Sequence, residues 1–470
     1  MSFALDRIDA LQQELTNLSD RIWGYAETSL KEFQSADDLA SFLHDHGFTV
    51  VRDIAGLETA FTASWGSGEP KLGFLAEYDA LPGLHNEAQP VQSVENADLP
   101  GHGCGHNLLG VACVAAVLGL KAEMEAKQLS GTIIFYGCPA EENYSAKVPM
   151  AAAGAFDGLS AAFAFHPSGL HNVSLTSSVA NNSIKFSFKG RTAHAGGDPF
   201  NGRSALDAVE IMNVGANYLR EHVISDARIH YIITEGGKAP NIVPERAQVW
   251  YFVRAPKVHQ LNDIVERLKK VARGAAMMTE TEVDIVLESG VCNYIPNEIL
   301  ANVVYESMQE LPPIAWTPDE IAFAETMVAP IPEAQKQASR ERQMARGIAP
   351  DSVLWSETIA PQGKGLVMTG STDVSDVSWQ VPTVMFGTPC YPWLAPGHSW
   401  MITACSGHSI GHKGMLLAGK AMALASLKLI ADADLRQKAM DEFQAAVAGL
   451  QYKPYGEVPL PKFDRPQGLK

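Results

Sequence analysis

The sequence predicts an α/β fold: a mainly parallel sheet covered by helices, carrying an inserted α+β domain. Through the first 170 residues, short apolar runs alternate with helix-period stretches, the pattern of strands joined by crossover helices. Near residue 181 it changes to period-two alternation of apolar and polar side chains, which marks strands with one solvated face. The length of 470 residues exceeds one ordinary core, since a domain usually holds roughly 100–200 residues. The chain is therefore divided into residues 1–180, an inserted domain over 181–290, and a return to the first domain over 291–470.

The elements follow in order. From Met1 to Leu18, Leu5, Ile8, Leu11, Leu15 and Leu18 share one helical stripe. Lys71 to Ala76 is a buried strand that delivers Glu77 and Asp79 at its carboxyl end, and Gln89 to Leu99 reads as loop. Leu108 to Gln128 has a helix pattern; Thr132 to Gly137 and Ala161 to Phe165 are strands ending at the glutamate pair and at His166. In open α/β sheets ligands bind at the carboxyl ends of the strands, where these polar groups stand.

In the insertion, the strand Ser183 to Gly190 is followed by a helix from Ser204 to His222 and strands at 229–234 and 247–254. A helix over Leu261 to Met278 and a strand over Val283 to Glu288 complete it. The order β-α-β-β-α-β is ferredoxin-like. Beyond it, Ile314 to Ala349 reads as a surface insertion, Leu366 to Thr369 and Thr383 to Gly387 as buried strands, and Lys413 to Leu435 as a closing helix.

A net charge of −17, from 36 basic and 53 acidic residues, argues against nucleic acid or an anionic membrane as partner. The apolar stretch Leu108 to Leu120 is shorter than the roughly 20 residues a bilayer requires. Six scattered cysteines do not form a disulfide framework. A cytoplasmic protein that binds neither membrane nor nucleic acid is the expectation.

Chemistry concentrates in two short segments. Cys104 and His106 stand two apart in the glycine-rich run Gly101 to Asn107, and a thiolate and an imidazole so spaced can grip one metal ion. Glu141 and Glu142 close an apolar strand, where adjacent like charges are costly unless a cation compensates them. Such a pair can give one ligand and one general base. Cys104 as a nucleophile is the competing reading, and it leaves the glutamates unexplained. His166 ends its own strand, while His398, His408 and His412 compete for the place of a last ligand. In the insertion, His194 sits in a glycine-bounded turn, Asn241 between two prolines, and Arg254 at a strand end. Arg and Asn are groups suited to clamping a carboxylate.

The runs His102-Gly103-Cys104-Gly105-His106-Asn107, Pro139-Ala140-Glu141-Glu142 and Ala76-Glu77-Tyr78-Asp79-Ala80-Leu81-Pro82 resemble, in order, motifs of the M20 metallopeptidase family. The resemblance is to its amidohydrolase branch of aminoacylases and auxin-conjugate hydrolases, which read roughly H-A-C-G-H-D, P-A-E-E and A-D-M-D-A-L-P; Asn107 and Glu77 each stand where the branch has aspartate. The resemblance implies a zinc-peptidase-like catalytic domain with a ferredoxin-like lid and dimerisation domain. It makes Cys104, His106, Glu142, His166 and His398 the ligands of two divalent ions, Mn2+ or Zn2+. It makes Glu141 the general base, Asp79 the residue that orients a histidine ligand, and His194 a catalytic partner that stabilises the oxyanion. Asn241 and Arg254 become substrate-binding residues, some of the insertion's residues reaching a neighbouring subunit's site.

The implied reaction is hydrolysis of the amide bond of an N-acyl amino acid, foremost p-aminobenzoyl-glutamate or a related aroyl-glutamate or aspartate conjugate. The alternatives are a metallo-carboxypeptidase or dipeptidase, and a non-catalytic regulatory subunit. The implied assembly is a homodimer or a hetero-oligomer with a homologous A subunit.

Overall fold

The computed structural model describes residues 2–456 and 459–466; the helix stripe predicted from Met1 is therefore described from residue 2. Its centre is an apolar sheet. Strands Gly131–Gly137, Lys71–Ala76, Ala161–Ser168 and Thr383–Pro389 lie side by side and parallel. Period two divides their side chains between two covered faces. Phe74, Phe135, Phe163 and Phe165 enter one apolar cluster, and Leu75, Tyr136, Ala162 and Ala164 enter another. Four further strands extend this centre to eight, and the pairs Thr49–Arg52 with Phe61–Ser67 and Phe61–Ser67 with Gly131–Gly137 are antiparallel.

The first cluster is built on two long helices, His106–Lys127 and Ser409–Ala431. They are 22 and 23 residues long, and apolar enough by composition to cross a membrane. They instead pack on each other inside the core: a Cβ on Gly419 would lie 2.7 Å from that of Ala115, so the small residues permit the close approach.

The four-stranded second sheet is antiparallel, ordered Glu282–Val291, Ala180–Lys189, Arg246–Ala255, Arg228–Glu235. Ile184, Phe186, Phe188, Val249, Tyr251 and Val253 face the helices Ala205–Leu219 and Val258–Thr279 in a core of their own. In chain order the elements run β-α-β-β-α-β.

Several sequence expectations change. The amino-terminal stripe breaks at Leu11 into helices Phe3–Ala10 and Gln12–Tyr25. The closing helix ends at Ala431 because the Asp432 carboxylate accepts from the Leu435 N–H at 2.9 Å and starts a new helix, Ala433–Val447. Leu366 to Thr369 is no buried strand: only Val367–Met368 pairs, exposed, with Ser177–Ser178 in a separate ribbon. The predicted surface insertion folds as helices Pro318–Val328 and Glu333–Met344, and Met327 and Val328 are buried against Met401 and Cys405. Gln89 to Leu99 is indeed without helix or strand.

One buried acid holds the carboxy-terminal segment down. Asp376 is fully buried, accepting from the Cys292 N–H at 3.0 Å and the Tyr452 hydroxyl at 2.9 Å. Burial, against those hydrogen bonds, raises its pKa from 3.8 to about 7. The folded state thus holds a proton that the unfolded chain has lost, and the stability this contributes disappears as pH rises from about 4 through about 7. Asp376→Asn should flatten that decline. Thermal unfolding at about pH 5 and about pH 8 checks it: parallel curves for wild type and variant would sink the assignment.

Candidate active site

Each site residue is delivered by the end of a strand or helix. Lys71–Ala76 runs into Glu77 and Asp79, Gly131–Gly137 into the short helix Glu141–Tyr144, and Ala161–Ser168 carries His166. The helix His106–Lys127 begins two residues before the predicted start, so His106 opens it and Cys104 lies in the turn before. Gly105 makes that turn at φ 81°, where a Cβ would also meet Pro167 Cγ at 3.0 Å, so only glycine fits. Ala140 takes a left-handed φ of 57° without being glycine. Its N–H donates to Glu32 Oε1 at 2.9 Å, and the bent turn aims both glutamates inward.

The geometry converges. Cys104 Sγ lies 3.2 Å from His166 Nε2, whose ring is fixed by Nδ1 against the Pro167 carbonyl at 2.8 Å. His106 Nδ1 lies 2.9 Å from Asp79 Oδ1. The other Asp79 oxygen accepts from Ser29 Oγ at 2.8 Å and from the Glu142 N–H at 3.1 Å. Glu142 reaches His106 Nε2 at 3.9 Å and His398 Nε2 at 3.6 Å. The fold therefore separates the three candidate histidines. His398 joins the site, His408 stacks on Phe323 at 4.0 Å, and His412 pairs with Asp20 at 2.9 Å.

These groups suit divalent ions. His106 Nε2 and Glu142 Oε1 are buried without hydrogen-bond partners. The donor atoms of Cys104, His106 and His166, and those of Cys104, Glu142 and His398, lie within 4.8 Å of one another. Bonds of about 2.0–2.3 Å to one ion place neighbouring ligand atoms roughly 3.3–3.7 Å apart, close to the spacings seen. Burial pushes the Cys104 thiol up to about 12, which argues against an activated nucleophile. Glu141 keeps part of its surface open to the cavity, yet burial, with Glu77, Asp373 and Glu142 nearby, drives its pKa well above the usual carboxylate value. Burial raises that of Glu142 too.

The site opens into a cavity of about 1100 Å³ lined by Cys104, Glu141, Glu142, His166 and His398. Arg254 lines it as well, donating Nη1 to the Thr369 carbonyl at 3.1 Å while its buried Nε has no partner. His194 and Asn241 do not line it. They sit together on the second domain, exposed, where the Ala195 N–H donates to the Asn241 carbonyl at 3.0 Å. His194 Nδ1 accepts from the Gly197 N–H at 2.9 Å, which leaves Nε2 as a donor.

Sequence reasoning missed Lys147, Asp373, Glu32 and Arg346. The first three meet the site through contacts distant in sequence. Arg346, with Ala345, reaches the cavity from the end of the insertion read as surface. Asn107, where the resemblance has aspartate, is buried and donates to the Ser406 carbonyl at 2.9 Å and to Ser19 Oγ at 3.0 Å.

A sheet whose carboxyl ends gather thiol, imidazoles and paired carboxylates over an open cavity defines a metal-dependent hydrolase of amide bonds. Residues 178–277 match the peptidase dimerisation domain of the M20 type. Over 100% of this chain and 99% of the other, it is 40% identical to the B subunit of p-aminobenzoyl-glutamate hydrolase from Escherichia coli. The chain belongs to the M20 peptidase family. Its fold is shared by the aminobenzoyl-glutamate utilization protein of Klebsiella pneumoniae, at TM-score 0.61 and 20% identity over 90% of this chain and 97% of that one. It is shared too by the YXEP protein of Bacillus subtilis, a dinuclear metal binding peptidase, at TM-score 0.55 and 17% identity over 90% and 99%.

Proposed function

We propose that this chain hydrolyses the amide bond of an N-acyl acidic amino acid, with p-aminobenzoyl-glutamate as the model substrate. The observation that carries this is Arg254: a guanidinium with an unpartnered, buried Nε faces the same cavity as Glu141, in a chain of net charge −17. It suits a carboxylate. Phe252, Met368, Met385 and Phe386 line the cavity as well and suit an aromatic acyl group. The full-length similarity to the Escherichia coli hydrolase supports the same substrate class.

Cys104, His106, Glu142, His166 and His398 would hold two divalent ions, Mn2+ or Zn2+. Such ions, when bound, polarise the amide carbonyl and acidify water. Glu141 takes the proton from the attacking water as its oxygen bonds to the carbonyl carbon. When the C–N bond breaks, Glu141 passes that proton to the departing amine. Arg254 meanwhile holds the free carboxylate and fixes the amide relative to Glu141.

A panel of aroyl- and acyl-glutamates, aspartates and dipeptides, with and without chelator, tests the reading. Arg254→Met should raise KM for acyl-glutamates about 10–100-fold and do much less to a substrate lacking the side-chain carboxylate. Equal rises on both would place Arg254 on the α-carboxylate and remove the preference for an acidic side chain, no rise on either would remove Arg254 from substrate binding, and turnover unaffected by chelator would end the metal reading.

The edge strand Arg228–Glu235, with Ile232 and Ile233 exposed on its two faces, suits pairing with a second copy, and His194 and Asn241 then serve the partner's site. Ile232→Asp should convert a dimer to a 50.7 kDa monomer in sedimentation and lower turnover. A wild-type chain that is monomeric when pure would point instead to a homologous A subunit as partner. Six free, buried cysteines support a reducing, cytoplasmic setting.

A further inference from the structure

Lys147 is 0% exposed, and a buried ammonium is retained only where it is paired, since taking an unpaired charge out of water is strongly unfavourable. Its Nζ donates to Glu77 Oε1 at 2.6 Å and to Asp373 Oδ1 at 2.7 Å, and its backbone N–H donates to Asp373 Oδ2 at 3.0 Å. Asp373 thus grips Lys147 at two points, and Lys147 immobilises one oxygen of Glu77. The other oxygen, Oε2, stands 3.3 Å from His106 Nε2. That nitrogen is buried without a hydrogen-bond partner, while Nδ1 of the same ring is committed to Asp79.

A separation of 3.3 Å is what two donors on one tetrahedral ion show, because bonds of about 2.0–2.1 Å space neighbouring ligands by about 3.3 Å. Glu142 Oε1 lies farther from His106 Nε2, at 3.9 Å. Donor atoms of Glu77, His106 and Glu141 all fall within 4.8 Å of one another. Glu77 therefore meets the same distance test as the residues already assigned.

We infer that Glu77 is a further ligand of the divalent-metal centre and that Lys147 is the positioning residue that turns its free oxygen toward His106. The inference rests on Cys104, His106, Glu142, His166 and His398 being a metal centre.

The test is calorimetric titration of the full chain, stripped with chelator, with Mn2+ and separately with Zn2+. Wild type should bind two ions. Glu77→Gln should weaken one binding event at least about tenfold and leave the other within about twofold. Lys147→Met should weaken that same event, and the double variant should bind no worse than Glu77→Gln alone, because both act through one contact. A salt bridge serving only the fold would lower the melting temperature without singling out one ion. Glu77→Asp covers the case in which Glu77→Gln fails to fold: it keeps the charge facing Lys147 and withdraws the oxygen by about one bond length, roughly 1.5 Å. If Glu77→Asp, folded by its melting curve, binds both ions as wild type does, the inference is overturned and Glu77 merely accepts a hydrogen bond from His106. A wild-type chain that takes up no ion would overturn the metal centre itself, a result distinct from wild-type-like binding by the variants.

Discussion

Glu141→Gln is expected to lower kcat/KM about 10²–10⁴-fold while both divalent ions remain bound. Glutamine keeps the size of the side chain and removes its ability to take a proton from water. The residue opens the short helix Glu141–Tyr144, directed inward by the left-handed turn at Ala140 and the hydrogen bond to Glu32. Neither feature depends on its charge, so the fold should survive. Its environment argues for proton transfer: burial and the charges of Glu77, Asp373 and Glu142 all make it a better proton acceptor than an ordinary carboxylate. Ion content by elemental analysis and turnover of p-aminobenzoyl-glutamate should separate cleanly. A Glu141→Gln enzyme that still turns over substrate would move the base elsewhere.

Asp79→Asn should cost about 10–100-fold in ion affinity, with activity falling in parallel at limiting metal. The Asp79 carboxylate accepts three donors: His106 Nδ1 at 2.9 Å, Ser29 Oγ at 2.8 Å and the Glu142 N–H at 3.1 Å. An asparagine has one acceptor oxygen, so it cannot satisfy both His106 and Glu142. If its NH2 faces His106, the ring must place its proton on Nε2, the nitrogen that would otherwise meet the ion. If the oxygen stays on His106, the Glu142 backbone loses its partner. Either way a metal-holding group is misdirected. Ion titration of the stripped protein measures this, and unchanged affinity in a folded Asp79→Asn variant would sink the orienting role.

The parts of this molecule legible in the sequence are those where chemistry and local chain geometry coincide. Parallel strands announce themselves as short apolar runs, and their carboxyl ends lie together by construction. Glu141, Glu142 and His166 can therefore be grouped from the sequence alone, and Cys104 joins them through its i, i+2 spacing from His106 in a glycine-rich turn. The second sheet was legible through its period-two alternation. What stayed hidden depends on partners far away in sequence. Nothing near Lys147 says that it is buried, because the acids that make this tolerable stand 70 and 226 residues away. His398 could not be told from His408 and His412 by spacing; only packing puts one beside Glu142 and another on Phe323. The charged, helix-forming composition of residues 314–349 concealed that Met327 is buried and that Arg346, though exposed, lines the cavity. His194 and Asn241 show the opposite case: both were legible as polar residues in tight turns, yet this chain alone does not bring them to the cavity.

The grip of Asp373 on Lys147 has a consequence for biosynthesis. At about 5–20 residues per second, the 226 residues between them take roughly 10–45 s to emerge from the ribosome. Cys104, His106 and Glu142 precede that interval and His166 is made early in it, but until Asp373 emerges the ammonium lacks one of its two anions, and His398 does not yet exist. A nascent chain therefore cannot complete the proposed five-residue centre before His398 is made.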